Sequence, residues 1–251
     1  MSTQQAGVDN IANNLANANT TGYKRSTIVF QDLLYQTVQA SGQGESSGAA
    51  PPASLQMGHG AAAIATVRNF TQGSLSETGN ALDLAVNGEG FLQVRRPDGS
   101  VAYTRDGTFS LSADGAVVTQ TGLSLEPDMS LPAEAVEIHI SQDGVVSVRL
   151  QGEPEMVEAG QLELARFPNP SGLNPLGGNL FEQTEASGEP TIGSPGQEGL
   201  GVILQGYLET ANVDVVKEMV DLIAAQRAYE INSKMVSTSE DMLQIANNLK
   251  R

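Results

Sequence analysis

Val8, Ile11, Leu15 and Ala18 recur at steps of three, four and three. That spacing lays one apolar stripe along a helix. The stripe starts at or before Met1, and Asn19-Thr20-Thr21-Gly22 closes it, with Gly22 suited to a left-handed closing residue. A second helix is predicted at the other end, starting near Ala211-Asn212 with Asn212 or Asp214 as its cap. Val213, Val216, Val220 and Ile223 keep one register along it. Ala228, Ile231, Met235, Thr238, Met242, Ile245 and Leu249 keep another, displaced by one residue. A displaced register turns the stripe around the helix, so more than one neighbour is contacted. At roughly 35–40 residues, or about 55 Å at 1.5 Å per residue, this helix would overhang a small domain. The pentapeptide Ile11-Ala12-Asn13-Asn14-Leu15 recurs as Ile245-Ala246-Asn247-Asn248-Leu249, so the two ends match each other and not the middle.

The pattern changes between the ends. Ile28-Val29-Phe30 and Leu33-Leu34-Tyr35 form an apolar segment that is either helical or extended. Residues 40–63 are rich in Gly, Ser and Ala and read as loop-like, too poor in large apolar residues to fold alone. From Val67 onward short alternating runs appear, punctuated by Asp-Gly pairs at 98–99, 106–107, 114–115 and 143–144, each a hairpin signal. Gly88-Glu89-Gly90 sits between two runs and reads as a turn. Residues 168–201 read as long loops with short strands. The expected fold class is α+β. N- and C-terminal helices (1–36 and 208–251) form a coiled-coil-like assembly domain, 37–75 and 185–207 an extended connecting domain, and 76–184 a central, mostly antiparallel β domain.

Composition sharpens this division. The chain carries 29 acidic and 13 basic residues, a net charge of −16. Residues 1–36 hold two acids and two bases, and 208–251 hold seven acids and five bases, so −14 of the charge lies between them. Near-neutral ends can pack closely against copies of themselves while an acidic middle stays solvated. This balance argues against nucleic acid, whose phosphates need a basic face. Cysteine is absent, and the two histidines offer no zinc-ligand spacing. There is no phosphate loop and no nucleophile elbow, so no motif assembles a reaction site and no cofactor is expected. No apolar run reaches membrane-spanning length, and the first residues lack a secretory signal pattern.

The stretch IANNLANANTTGYKRS, Ile11 to Ser26, resembles the N-terminal signature of the bacterial flagellar rod and hook protein family, with Asn14, Leu15, Asn17, Thr21, Gly22 and Lys24 in motif positions. Phe70-Thr71-Gln72-Gly73-Ser74-Leu75, Gly88-Glu89-Gly90-Phe91-Leu92 and Tyr103-Thr104-Arg105-Asp106-Gly107-Thr108-Phe109 resemble its core. Asn212, Arg227 and Tyr229 lie in stretches that match its terminal helix. The family usually begins a turn or more of helix earlier and often has a second Phe where Leu92 stands. Phe30 to Gln36 and the segment through Leu55-Gln56-Met57-Gly58 resemble the distal rod branch, with proximal rod or hook-type subunits the alternative within the family.

The resemblance implies a structural subunit that polymerises helically into a rigid hollow shaft around an export channel. It implies copies of itself, proximal rod proteins, the hook protein and the surrounding P and L rings as partners. It also implies a place in the basal body within the periplasmic space, reached through flagellar type III export without a cleaved signal. Subunit contacts are then expected from Val8, Ile11, Leu15, Val213, Val216, Val220, Ile223, Ala228, Ile231, Met235, Met242, Ile245 and Leu249. Leu55, Gln56, Met57 and Gly58 are expected to stiffen the polymer. A secreted carbohydrate-binding module is the competing reading from another class, but aromatics, which such a site stacks on sugars, are only 4% of residues. An acidic glycosidase ranks below it.

Overall fold

The structure, a computed structural model, describes residues 2–39, 55–132, 135–152 and 155–249, and for Val38, Gln39, Leu55 and Leu249 the backbone alone. The chain forms two compact units, one of residues 1–15, 26–67 and 216–251 and the other of residues 16–25 and 68–215.

The first unit holds helix α1 (Ser2–Ala16), strands β1 (Ser26–Asp32), β2 (Tyr35–Gln39), β3 (Leu55–Gly58) and β4 (Ala61–Arg68), and helix α2 (Val215–Leu249). Strand β1 pairs with β4, and β2 pairs antiparallel with β3 from Tyr35↔Gly58 to Gln39↔Leu55. The apolar segment after the first helix is therefore extended. The loop reading of 40–63 is corrected over 55–63, while 40–54 lies outside the described residues. The small residues hid a strand signal, because their partner across the ladder, not their own propensity, makes them extended. The ribbon keeps Val29, Phe30, Leu33, Leu34, Tyr35, Met57, Ile64 and Val67 exposed.

The second unit is the β body. Its strands are β5 (Leu75–Glu77), β6 (Leu84–Asn87), β7 (Phe91–Arg95), β8 (Val101–Thr104), β9 (Phe109–Leu111), β10 (Val117–Thr119) and β11 (Ser124–Glu126). Then come β12 (Ala135–Ile140), β13 (Val145–Leu150), β14 (Met156–Gln161) and β15 (Leu164–Arg166). The last are β16 (Asn174–Gly177), β17 (Leu180–Glu182), β18 (Thr191–Gly193), β19 (Val202–Gln205) and β20 (Tyr207–Glu209). The main sheet runs β16-β17-β8-β7-β11-β10-β9, with β15 joining β7 to β18; β12-β13-β14 form a second sheet. The pairings recorded in this unit are antiparallel. Strand β6 pairs with β19 and β5 with β20, so the segment entering the body is laced to the segment leaving it.

Three of the four Asp-Gly pairs turn hairpins, with Gly99, Gly115 and Gly144 at positive φ. Asp106-Gly107 does not, because β8 and β9 do not pair with each other. Gly107 instead lies against the Leu84 backbone, whose N–H donates to its carbonyl at 3.0 Å, and a β-carbon there would overlap the Leu84 carbonyl oxygen. A close tertiary approach, not a turn, uses this glycine.

The core fills with Leu84, Val86, Leu92, Val94, Phe109, Val148, Leu162, Leu164 and Ile203, all nearly inaccessible. A second cluster gathers Phe91, Tyr103, Phe167 and Phe181, with Phe70 packed on it. Four of the six phenylalanines of the chain thus meet in one place, edge to face at 5.1–5.8 Å for three of the pairs. That arrangement suits their quadrupoles and makes few aromatics sufficient for a body this size.

Candidate functional site

Thr21, Gly22, Lys24 and Asn212, motif residues of both chain ends, meet in the β body. Gly22 has φ +66°, and a β-carbon there would lie 2.6 Å from the Asp106 nitrogen, so only glycine fits. Its N–H donates to the Glu209 carbonyl at 2.8 Å, while Thr21 donates its hydroxyl to Asp106 at 3.1 Å and accepts Asn179 Nδ2 on its carbonyl at 2.8 Å. This turn delivers Lys24 into the interior, where its side chain is 1% exposed. Lys24 Nζ donates to Glu209 Oε1 at 2.5 Å and to the Thr71 carbonyl at 2.9 Å.

The Glu209 carboxylate, on β20, accepts two more hydrogen bonds. The Gly73 N–H donates to it at 2.8 Å and Arg105 Nη1 at 3.4 Å. Arg105 also donates to the Gly88 carbonyl at 2.8 Å and lies 5.2 Å above the Phe91 ring. Two buried cations thus share one buried anion. Burial pushes the Lys24 ammonium below its ordinary value, with Glu209 opposing and Arg105 adding to the fall. Burial likewise lowers the Arg105 guanidinium.

Asn212 completes the junction. Its Nδ2 donates to the Asn69 and Thr71 carbonyls at 2.8 and 3.0 Å, and its Oδ1 accepts the Arg25 N–H at 2.7 Å. The expected capping role for Asn212 is therefore corrected. Its side chain is spent on the segment between β4 and β5, 141 residues away in sequence at Thr71, and Asp214 is the residue that precedes α2. Val213, counted in the first helical register, also lies ahead of the helix and is half-buried.

A second polar knot ties the first unit. Asn14, fully buried, donates to the Ser26 carbonyl at 2.9 Å and to Glu218 Oε2 at 3.3 Å, and accepts the Ser26 N–H at 3.0 Å. Asn10, one turn earlier, accepts the Ser26 hydroxyl at 2.7 Å. Asn14 meets Glu218, and Gln5, Val8 and Asp9 line one groove of about 390 Å³ with Gln226, Tyr229 and Glu230. The two helices therefore run antiparallel over this stretch. Ile11 and Leu15 are half-buried. Asn17 accepts the Thr20 hydroxyl at 3.3 Å, and Arg227 pairs with Glu230 along the same helix at 2.9 Å.

The rest of α2 is different. Val216, Val220, Ile223, Ile231, Met235, Met242 and Ile245 are exposed, each by more than half. Ala228 is half-buried. Ile231, Met235 and Met242 line an apolar groove with Lys234, Thr238 and Ser239. The Leu249 and Leu55 side chains lie outside the described residues, and Gln56, Met57 and Gly58 are exposed on β3.

Glu209, Arg105, Ser26 and Glu218 belong to these knots and were not singled out as site residues from sequence. Glu209 gave one signal, a lone acid after Tyr207-Leu208 in an apolar strand. Among the described residues no cluster of His, Cys, Asp and Glu is arranged to hold a metal ion, and no helix is long and apolar enough to cross a membrane.

Comparison with known proteins gives one family along the chain. Residues 1–24 match the flagella basal body rod protein family, residues 85–148 the D1 domain of flagellar hook protein FlgE/F/G, and residues 204–249 the C-terminal region of the flagellar basal body rod FlgEFG proteins. The chain is 49% identical to the flagellar basal-body rod protein FlgG of Buchnera aphidicola subsp. Acyrthosiphon pisum, over 96% of this chain and 93% of that one. It is 47% identical to FlgG of Borreliella burgdorferi and 45% identical to FlgG of Caulobacter vibrioides, in both cases over all of this chain and 96% of the other.

Proposed function

The chain belongs to the flagellar basal-body rod protein family, and from that premise we propose how it assembles. It is a structural subunit of the distal rod of the basal body, not an enzyme. We infer that residues 1–36 and 208–251 form the assembly domain, in a coiled-coil-like packing of α1 and α2 against helices of neighbouring copies. The shaft so built encloses an export channel. The β body of residues 76–184 faces outward, carried on the connecting segments 37–75 and 185–207. Proximal rod proteins, the hook protein and the P and L rings are its further partners in the periplasm, and type III export without a cleaved signal delivers it there.

One observation carries this reading. The apolar stripe of α2 from Val216 to Ile245 is exposed in the single chain. Apolar burial is favourable by roughly 25 cal/mol per Å², less the cost of ordering. A head-to-tail contact that does not close into a ring extends without limit, as a rod must. Val8, Ile11, Leu15 and Ala228 complete the contact set around the helix pair. The β2–β3 ribbon, with Gln56, Met57 and Gly58 exposed, stiffens the polymer by reaching a neighbour.

Electron microscopy of the purified protein tests the reading. Wild-type chain is expected to form straight filaments, and chain shortened within 40–63 to form filaments with a shorter persistence length. Wild-type protein that stays monomeric at high concentration would overturn the assembly claim. Equal stiffness in the two filaments would overturn the role of the ribbon.

A further inference from the structure

Asn87-Gly88 is the only Asn-Gly pair in the chain, and the fold leaves no alternative at its second position. Gly88 has φ +117°, and a β-carbon there would stand 2.8 Å from the Gly201 α-carbon. An asparagine followed by glycine is the dipeptide least hindered toward succinimide formation, because no side chain shields the backbone nitrogen that attacks. Asn87 is also exposed, so water reaches it.

The structure places one side chain across this reaction. Gln72 Oε1 accepts the Gly88 N–H at 3.1 Å, and Gln72 Nε2 donates to Asn87 Oδ1 and to the Val86 carbonyl, each at 3.3 Å. The next peptide is held as well, where Arg105 Nη2 donates to the Gly88 carbonyl at 2.8 Å. Asn87 itself lies in the β6–β19 ladder opposite Val202.

We propose that Asn87 is a latent deamidation site and that Gln72 is the positioning residue that holds it closed. In the reaction, the Gly88 nitrogen gives up its proton and bonds to Asn87 Cγ. The Cγ–Nδ2 bond breaks and ammonia leaves with that proton. Water then opens the imide at either carbonyl, giving aspartate or isoaspartate. The Gln72 carbonyl keeps the Gly88 proton in place, and the two-point hold keeps the Asn87 amide from rotating over the nitrogen. The bond to Asn87 Oδ1 polarises that carbonyl and works the other way. It is the weaker influence, since no attack occurs until the nitrogen is free. Isoaspartate would insert an extra backbone methylene into the ladder and shift the Gly88 carbonyl away from Arg105. The clamp therefore protects the junction of the buried charges as well as one turn.

The test is ageing of the folded full-length chain in mildly alkaline buffer, with peptide mapping by mass spectrometry and isoaspartate detection at Asn87. Gln72→Met keeps the size of the side chain and removes its hydrogen bonds. Gln72→Glu keeps an acceptor for the Gly88 N–H. Circular dichroism checks that each variant retains the wild-type transition, which an exposed position permits. Gln72→Met is expected to convert several-fold faster than wild type, and Gln72→Glu to stay close to wild type. The folded wild type is expected to convert several-fold more slowly than the same chain in urea. Equal rates for folded wild type and Gln72→Met would overturn the proposal, as would a folded wild type that converts as fast as the unfolded chain.

Discussion

The β body and the helical unit handle apolar surface in opposite ways. The body hides Leu92, Val94, Leu164 and Ile203 almost completely and sets the buried Lys24 and Arg105 against the buried Glu209. The helical unit hides Asn14 and Glu218 and leaves Ile231, Met235, Met242 and Ile245 in water. One unit closes its own core, and the other keeps polar groups for its internal joints and turns its apolar side outward. The lesson is a division of labour. Specific buried polar bonds fix the geometry of the chain ends, while the uncovered apolar surface is what the proposed assembly would bury.

The largest effect is expected where the body concentrates charge. Glu209→Gln leaves Lys24 and Arg105 buried with no anion between them. Breaking a buried pair this way costs about 3–5 kcal/mol, read as a lower midpoint in urea unfolding of the body. Replacing Lys24 by Met in the same chain should recover part of the loss, because one uncompensated cation is gone. A midpoint shift under a tenth of this size would mean the triad is solvated and the contrast between units is wrong.

Paired substitutions at apolar positions come next. Leu164→Ala, at a fully buried site, should cost about 2–5 kcal/mol in the body. Ile245→Asp, at an exposed site on α2, should change the transition of the body by no more than about 0.5 kcal/mol and abolish filaments. If Ile245→Asp lowers the transition as Leu164→Ala does, α2 is an internal core element and the units do not differ as described.

The smallest expected effect is in pH dependence. The folded Lys24 ammonium titrates below its ordinary value of 10.5 because burial disfavours the charge. Between the folded and the ordinary value the unfolded chain binds more protons, so stability contributed by this group rises with pH through that window. Below the folded value the penalty is constant. Denaturation curves from neutral pH to about 10.5 should show this rise in wild type and its loss in Lys24→Met, measured as the difference between the two so that other titrations cancel.

Sequence made the helices legible because their apolar positions are periodic. Val8, Ile11 and Leu15, and the run from Ile231 to Ile245, repeat at helical spacing and fall within the helices, while Ala18 lies beyond α1 and Val213 ahead of α2. Asp-Gly signals located hairpins wherever the turn is local. They failed at Asp106-Gly107, where the glycine serves an approach to Leu84 from elsewhere in the chain. The strands at 55–68 were hidden because Gly- and Ala-rich sequence becomes extended only beside its partner strand. Lys24 and Asn212 were legible as motif positions, but their chemistry was not. Glu209 is 185 residues from Lys24, and no local pattern announces a pairing of that range.

Hydrogen exchange on dilute monomer and on assembled polymer, compared segment by segment, tests the division between the two units most directly. Residues 84–94, 101–104 and 202–209 should be strongly protected in both states. Residues 2–16 and 216–249 should be weakly protected in the monomer, since helices with little packed surface are marginal in water, and should gain protection on assembly. Strong protection of both helices in a proven monomer, or no gain on assembly, would contradict the account.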